Sequence, residues 1–345
     1  MVLSGIRALS LFSLMLLMCG CGTDEPEIHF YTWVNYIKPS LIDRFEKEQH
    51  CRLVINTFDS NESMFAKLQL GATGYDLITS SNYYAPLLIE QGMLEPFDPS
   101  LLPNIQYLDP TYVKKLEPQV AAYGIPFLIT PTGIAYRKDK IGYQYPSWGI
   151  FDQKALKGRL TMLNDPREAI GAALKFLGYS LNTTNELEIN EAVGVLINWK
   201  KNLAKFESEQ YKDGIASGEF LAVQGFMGEL LLVSDENPEV TCVLPEEGAI
   251  LSIDIICISK DFQHKELVYA FLNYLMDPEV AAENIAFTKF LIPNTAAYEK
   301  LPLSLKNNQI LFPTGGVAAN SELIKNIGPA STYYNKAWDK VKSAE

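Results

Sequence analysis

"EIHFYTWVNYIKPSLIDRFEKEQHCRLVINTFDSNESMFAKLQLGATGYDLITSS", residues 27–81, decides the fold. Three apolar runs, "EIHFYTWV", "CRLVINTF" and "YDLITSS", alternate with two segments of helical period. The first of these, "PSLIDRFEKEQ", has Pro39 near its start, and the second, "NESMFAKLQLG", is stopped by Gly71. Strand, helix, strand, helix, strand in that order specifies a mostly parallel α/β sheet. Within the first run, alternation sets Phe30, Thr32, Val34 and Tyr36 on one face and Tyr31, Trp33 and Asn35 on the other. Neither face is purely apolar, so burial accounts for only part of this strand. Its C-terminal end, with Trp33 and Tyr36, is a candidate binding wall.

The pattern repeats further along. Residues 107–127 read as loop. "YGIPFLITPTGIAYRK" (123–138) reads as two strands, with Pro126 and Pro131 marking a crossover rather than a sheet centre. A second α/β block follows, with strand "RLTMLN", helix "PREAIGAALKFLG", a long helix over "NELEINEAVGVLINWKKNLAKF", strand "FLAVQGF", a helix or turn at "GELLLVSDEN" and strand "VTCVLP". "GAILSIDIICIS" is a return strand, helices broken at Pro278 come next, and "STYYNKAWDKVKSA" closes the chain as an amphipathic helix. Two α/β lobes with several crossings place a ligand cleft between them.

Residues 1–20 have the form of an export signal, one cation (Arg7) before an apolar stretch too short for a membrane span. "MCGC" ending at Cys21 has the form of a lipidation site, so Cys21 is expected to carry a lipid, with 21–27 as a polar tether. An ordinary secretory signal with a chance cysteine, or an uncleaved anchor, is the alternative. The length suits two domains. The composition, 48% hydrophobic and 20% charged, is globular, and the net charge of −12 disfavours nucleic acid and favours cations. Cys51, Cys242 and Cys257 each sit in an apolar run and read as buried thiols. The three histidines show no metal spacing, so no metal and no cofactor is expected.

Several carboxylates stand where chemistry is possible. In "NDPREAI" (164–170), Asp165 precedes Pro166 at a helix start and Glu168 follows three residues later. The pair reads either as an N-cap with a capping-box glutamate reaching back, or as two ligand-facing carboxylates on one side. In "TSSNYYAP" (79–86), Ser81 or Asn82 caps a helix, or Ser81 and Tyr83 line a cleft at a strand end. Asp254, inside the apolar strand "ILSIDII", needs a partner, because an unpaired buried carboxylate costs several kcal/mol. Nucleophile-elbow, phosphate-loop, dinucleotide and zinc motifs are lacking. A carboxylate-dependent hydrolase and a surface adhesin remain the readings from other classes.

"FYTWVNY", "SNESMFAKL", "YDLITSSNYY", "NDPREAIGAALKFLGYSLNTT", "LPEEGAILSID" and "IGPASTYYNK" resemble, in that order, segments of the bacterial polyamine-binding proteins of spermidine/putrescine ABC importers. The similarity runs from about residue 28 to 342. It implies a two-lobe periplasmic-binding-protein fold of type II, with the ligand cleft between lobes joined by crossover strands. Lobe 1 would comprise 28–128 plus about 251–297, and lobe 2 about 129–250 plus 298–345. The implied protein is not an enzyme. It would be a monomer, lipid-anchored in the periplasm or on the outer face of the cytoplasmic membrane, that captures putrescine or spermidine for ABC permease subunits. A receptor for another cationic or zwitterionic solute is the alternative.

Carried over by residue, the resemblance implies a site of Trp33, Asn35, Tyr36, Ser81, Tyr83, Asp165, Glu168, Phe226, Asp254 and Phe290, with Phe287 an alternative to the last. A protonated polyamine suits carboxylates at its charges and flat aromatic walls along its methylenes. The chain also departs from the family pattern. Val34-Asn35 replaces a Thr-Glu pair, and Phe226 and Ser252 each replace a tryptophan. Ile324 replaces a glutamine, and a tyrosine becomes phenylalanine at Phe290.

Overall fold

Alternating apolar runs pair through their backbones, and here the described residues build a single 11-stranded sheet. The computed structural model describes residues 25–142 and 146–344. The expected signal and Cys21 lie outside the described residues. The strands are β1 (Glu27–Trp33), β2 (Arg52–Phe58), β3 (Leu77–Ser81), β4 (Leu94–Glu95), β5 (Gly124–Arg137) and β6 (Leu160–Met162). They continue with β7 (Leu203–Phe206), β8 (Ala222–Phe226), β9 (Val240–Val243), β10 (Ile250–Ser259) and β11 (Glu322–Leu323). Their order is β2-β1-β3-β10-β5-β8-β6-β7, with β4 and β11 on β10 and β9 on β5. The opening β-α-β-α-β forms as expected, with β1 parallel to both β2 and β3. Glu27, the last residue of the expected tether, already pairs with Arg52.

β5 and β10 are the crossover strands. They run antiparallel from Ile250 opposite Thr132 to Cys257 opposite Gly124, with a bulge between Asp254 and Ile255. Where two strands were expected across 123–138, the structure has one continuous strand of 14 residues. Its prolines are tolerated for a local reason. Ile129 N–H leaves the ribbon toward Leu291 O, and Pro131 faces the same edge where β8 pairing begins only at Thr132. No ladder hydrogen bond is lost there. Pro126 sits beside the bulge. Two further expectations are corrected. The loop of 107–127 contains helices Pro110–Val113 and Pro118–Tyr123, each started by a proline. The long helix ends at Lys200, and "LAKF" becomes β7 beside β6.

Two hydrophobic clusters form. One gathers Phe30, Leu41, Phe45, Leu77, Leu128, Ile253 and Phe271 around the β1–β3 end. The other gathers Ile134, Trp148, Leu160, Ile170, Leu174, Trp199 and Ile250 around the β6–β8 end. Both β5 and β10 contribute to both clusters, with Leu128 and Ala135 in the first and Ile134 and Tyr136 in the second on β5, and Ile253 in the first and Ile250 in the second on β10.

That double role leaves little room at Gly133 on β5. A Cβ there would stand 2.7 Å from the Val243 carbonyl oxygen and 3.1 Å from Met227 Sδ. The carbonyl belongs to a paired strand and cannot yield cheaply. Gly133→Ala is therefore expected to destabilise by about 1–3 kcal/mol, read as a lower urea midpoint with an unchanged denaturant slope. An unchanged midpoint would contradict this close packing.

Candidate ligand-binding site

Strand ends supply one side of the site. β1 delivers Trp33 at its last position and then turns. Asn35 occupies the left-handed region there, with φ 59°, and neighbouring Val34 is 59% exposed. The chain returns with Tyr36, whose hydroxyl donates to Asp254 Oδ2 at 2.7 Å. β3 ends at Ser81, whose hydroxyl donates to Asp254 Oδ1 at 2.8 Å and accepts from Asn61 Nδ2 at 3.1 Å. Asp254 stands directly opposite Ser81 in the β10–β3 register and is only 3% exposed.

Both Asp254 oxygens are thus held by hydroxyls. Among the described residues no Lys, Arg or His forms an ion pair with it. Burial pushes its carboxyl up to about 6, and the Tyr36 and Ser81 hydrogen bonds act in the opposite sense. The Tyr36 hydroxyl is pushed well above its usual value, by burial first, then by Asp254, with Glu229 and Tyr211 adding to it.

The second side comes from the start of helix Pro166–Phe176. Asp165 caps it, with Oδ1 accepting from Arg167 N at 2.7 Å and Glu168 N at 3.0 Å. The capping-box alternative does not form. Asp165 takes both amides, and the Glu168 side chain turns toward Thr132 of β5 instead of reaching back. Glu168 is 5% exposed, and its Oε2 is buried with no hydrogen-bond partner. Burial, then the Asp165 charge, push its carboxyl up to about 8. The nearby Thr132 hydroxyl and Arg167 guanidinium oppose that shift. Thr132 Oγ1 nonetheless lacks a hydrogen-bonding partner of acceptable geometry.

Tyr83 and Asn82 join the two sides. Neither Ser81 nor Asn82 caps the helix Ala85–Glu90, which starts at Tyr84 without a side-chain cap. Asn82 instead donates to Ile324 O at 2.8 Å and accepts from Ile253 N at 3.0 Å. Tyr83 follows β3 yet packs on the second cluster. Its hydroxyl is raised by burial and then by Asp165 and Glu168, which face it from the opposite lobe.

Aromatic rings complete the wall. The Trp33 ring lies tilted at 4.4 Å from Phe58 and 6.3 Å from Tyr36, which lies 6.3 Å from Phe290. Phe290, and not Phe287, therefore extends this wall, packed so tightly on Gly228 that a Cβ there would meet its ring at 2.6 Å. Phe226 ends β8 opposite Thr132. Trp33 Nε1 is buried without a partner, like Glu168 Oε2 and Thr132 Oγ1. Buried polar atoms are ordinarily paired, so these three orphans are candidate contacts for a polar ligand.

Asn35 is the exception among the expected residues. It is exposed in its turn, and no hydrogen bond or ring contact ties it to the others. Asn61, Asn82, Thr132, Arg167 and Glu229 were missed. Glu229, which accepts from the Tyr211 hydroxyl and pairs with Lys212 at 2.8 Å, places a further carboxylate near Tyr36. Its signal was an acidic residue in the first turn of a helix following directly on a strand. Thr132 gave none, since a threonine is at home in any strand. Among the described residues no cluster of three or more metal-ligating side chains forms.

The family model for bacterial extracellular solute-binding proteins matches residues 40–313. The chain belongs to that family. A "Spermidine/putrescine-binding periplasmic protein" of Escherichia coli strain K12 is 31% identical over 322 residues, 93% of this chain and 92% of that one. A "Putrescine/cadaverine-binding protein" of Pseudomonas aeruginosa is 31% identical over 342 residues, 94% of this chain and 97% of that one. Among solved structures, the Tp0655 (TpPotD) lipoprotein of Treponema pallidum aligns with a TM-score of 0.81 at 30% identity, covering 91% and 99% of the two chains. The spermidine/putrescine ABC transporter substrate-binding protein PotD of Streptococcus pneumoniae, solved with calcium and HEPES, gives 0.83 at 26% identity, covering 92% and 99%. The solute-binding protein therefore has the expected two-lobe periplasmic-binding-protein fold.

The raised carboxyls set a pH dependence. Without ligand, folded Glu168 holds a proton between its ordinary 4.5 and about 8, where the unfolded chain has released it. Stability should therefore fall as pH rises through that window, and Asp254 should add a smaller fall between 3.8 and about 6. Glu168→Gln, which cannot ionise, is expected to flatten the melting-temperature profile above about pH 6. A variant profile parallel to the wild type would contradict the assignment.

Proposed function

We propose that this chain is the polyamine receptor of an ABC importer, capturing putrescine and/or spermidine between its lobes and delivering it to permease subunits without covalent chemistry. One observation carries the reading. Among the described residues Asp254 and Glu168 are buried carboxylates that form no ion pair, although Arg167 lies near Glu168, and they stand one toward each side of a cleft walled by Trp33, Tyr36, Tyr83, Phe226 and Phe290. A buried carboxylate without a cation is costly to ionise, and an aliphatic chain bearing ammonium groups meets both needs at once. The activities for which the relatives are named agree. In the same proposal the lobes divide within β5 near 128–129, within β10 near 250–251, and again near 297.

A zwitterionic solute is the second reading, favoured by Arg167. Its Nε is buried without a partner, and its guanidinium lies among Asp165, Glu168 and Tyr83 while stacking 4.9 Å over Tyr334. Calorimetric titration of the refolded mature chain with putrescine, cadaverine, spermidine and spermine separates the two. The expected result is saturable binding of at least one amine. Asp254→Asn should weaken it on the order of a hundredfold, since removing one partner of a buried charge pair costs about 2–5 kcal/mol. Silence from all four amines in a folded protein would overturn the polyamine reading.

The lipid at Cys21 is part of this proposal, placing the receptor at the membrane on the periplasmic or external face. Cell fractionation tests it. The wild type is expected in the membrane fraction and Cys21→Ser in the soluble fraction, whereas a soluble wild type would refute the anchor.

A further inference from the structure

One face of the crossover ribbon runs between the two anionic ends. On β10, alternation puts Asp254, Ser252 and Ile250 on that face, opposite Leu128, Thr130 and Thr132 of β5. Ile250 lies under helix Pro166–Phe176, where a Cβ on Gly171 would stand 3.2 Å from its Cδ1. The face therefore looks at the helix that carries Glu168. At about 3.3 Å per residue, Asp254 stands about 13 Å along the ribbon from the level of Thr132, with Ser252 and Thr130 midway.

The proton count at that midpoint is decisive. Thr130 Oγ1 donates to Ser252 O at 3.2 Å and is also hydrogen-bonded to Ser252 Oγ. A threonine has one hydroxyl proton. With that proton on the carbonyl, the Oγ–Oγ bond must use the serine proton. Both protons are then consumed inside the pair, and only lone pairs remain to offer the cleft. Thr132 Oγ1, two residues further along the same face and 1% exposed, has no partner either. The floor between the carboxylates is thus a row of hydroxyl oxygens where an aliphatic wall would suffice for a plain diamine. Methylenes laid over those oxygens would bury acceptors without donors, which is unfavourable.

We propose that the Thr130–Ser252 pair is a subsite for an N–H-bearing cation inside the ligand chain, so that the preferred solute carries a secondary ammonium between its terminal amines. This rests on the polyamine reading above. A secondary ammonium has two hydrogens and no lone pair, the complement of two acceptors with no free proton.

The test compares spermidine with 1,8-diaminooctane, the diamine in which a methylene replaces the internal nitrogen, by calorimetry on the mature chain. Wild type is expected to bind spermidine at least about tenfold more tightly, the worth of about one hydrogen bond to a charged group. In Thr130→Val/Ser252→Ala that ratio should fall to about threefold or less, with affinity for 1,8-diaminooctane retained. Ser252→Ala alone, the milder change, should lower the ratio partway if the double variant does not fold. Equal wild-type affinities, or a ratio unchanged in a folded variant, would overturn the subsite while leaving the receptor reading in place. Binding of neither amine by folded wild type would overturn both.

Discussion

A carboxylate in the middle of a buried strand is the constraint on which the rest of the structure depends. Asp254 is carried by β10, which also ties the two cores together, so it cannot retreat to solvent without breaking the fold. The protein surrounds it with two hydroxyl donors and leaves it without a cation. Those donors come from distant parts of the sequence, Tyr36 after β1 and Ser81 at the end of β3, and both positions follow from the parallel β1–β3 pairing. The fold thus converges on one charge that it does not neutralise. Such an arrangement is unstable by itself and becomes favourable when a cation arrives.

The second lobe repeats the logic with Glu168. Its carboxyl is buried beside another acid, Asp165, and holds a proton at neutral pH until something positive replaces it. Under the proposed function, capture of an ammonium group there would exchange a proton for a cation and so couple binding to pH. Because Tyr83 and Asn82 contact the far lobe while Asp254 anchors the near one, a ligand that touches both carboxylates favours the closed arrangement over any open one. Only such differential affinity can drive closure. The aromatic residues set the shape of the path and the hydroxyls of β5 and β10 set its polarity.

Much of this was legible in the sequence, for physical reasons. Period-2 runs alternating with period-3.6 segments gave the order of strands and helices. Asp254 declared itself because an acid inside "ILSIDII" cannot be ordinary core. Asp165 and Glu168 were visible as a pair, but helix-start chemistry alone could not say whether Glu168 caps or faces the cleft. That depended on Thr132, brought in by a strand far away in sequence. Strand alternation read through Asn35 fails past Trp33, where the chain has already turned. The crossover strand was divided in two because prolines usually interrupt a ladder, and their tolerance required knowing which edge each one faces. Long-range juxtaposition, not local propensity, is what the sequence conceals.

The most direct measurement is an atomic-resolution structure of the mature chain grown with spermidine. The expected result is one amine chain enclosed between the lobes, with a nitrogen within hydrogen-bond distance of Asp254, another within reach of Glu168, and Trp33 and Tyr36 along its methylenes. A ligand bound elsewhere, or one that leaves both carboxylates without a nitrogen partner, would contradict the account.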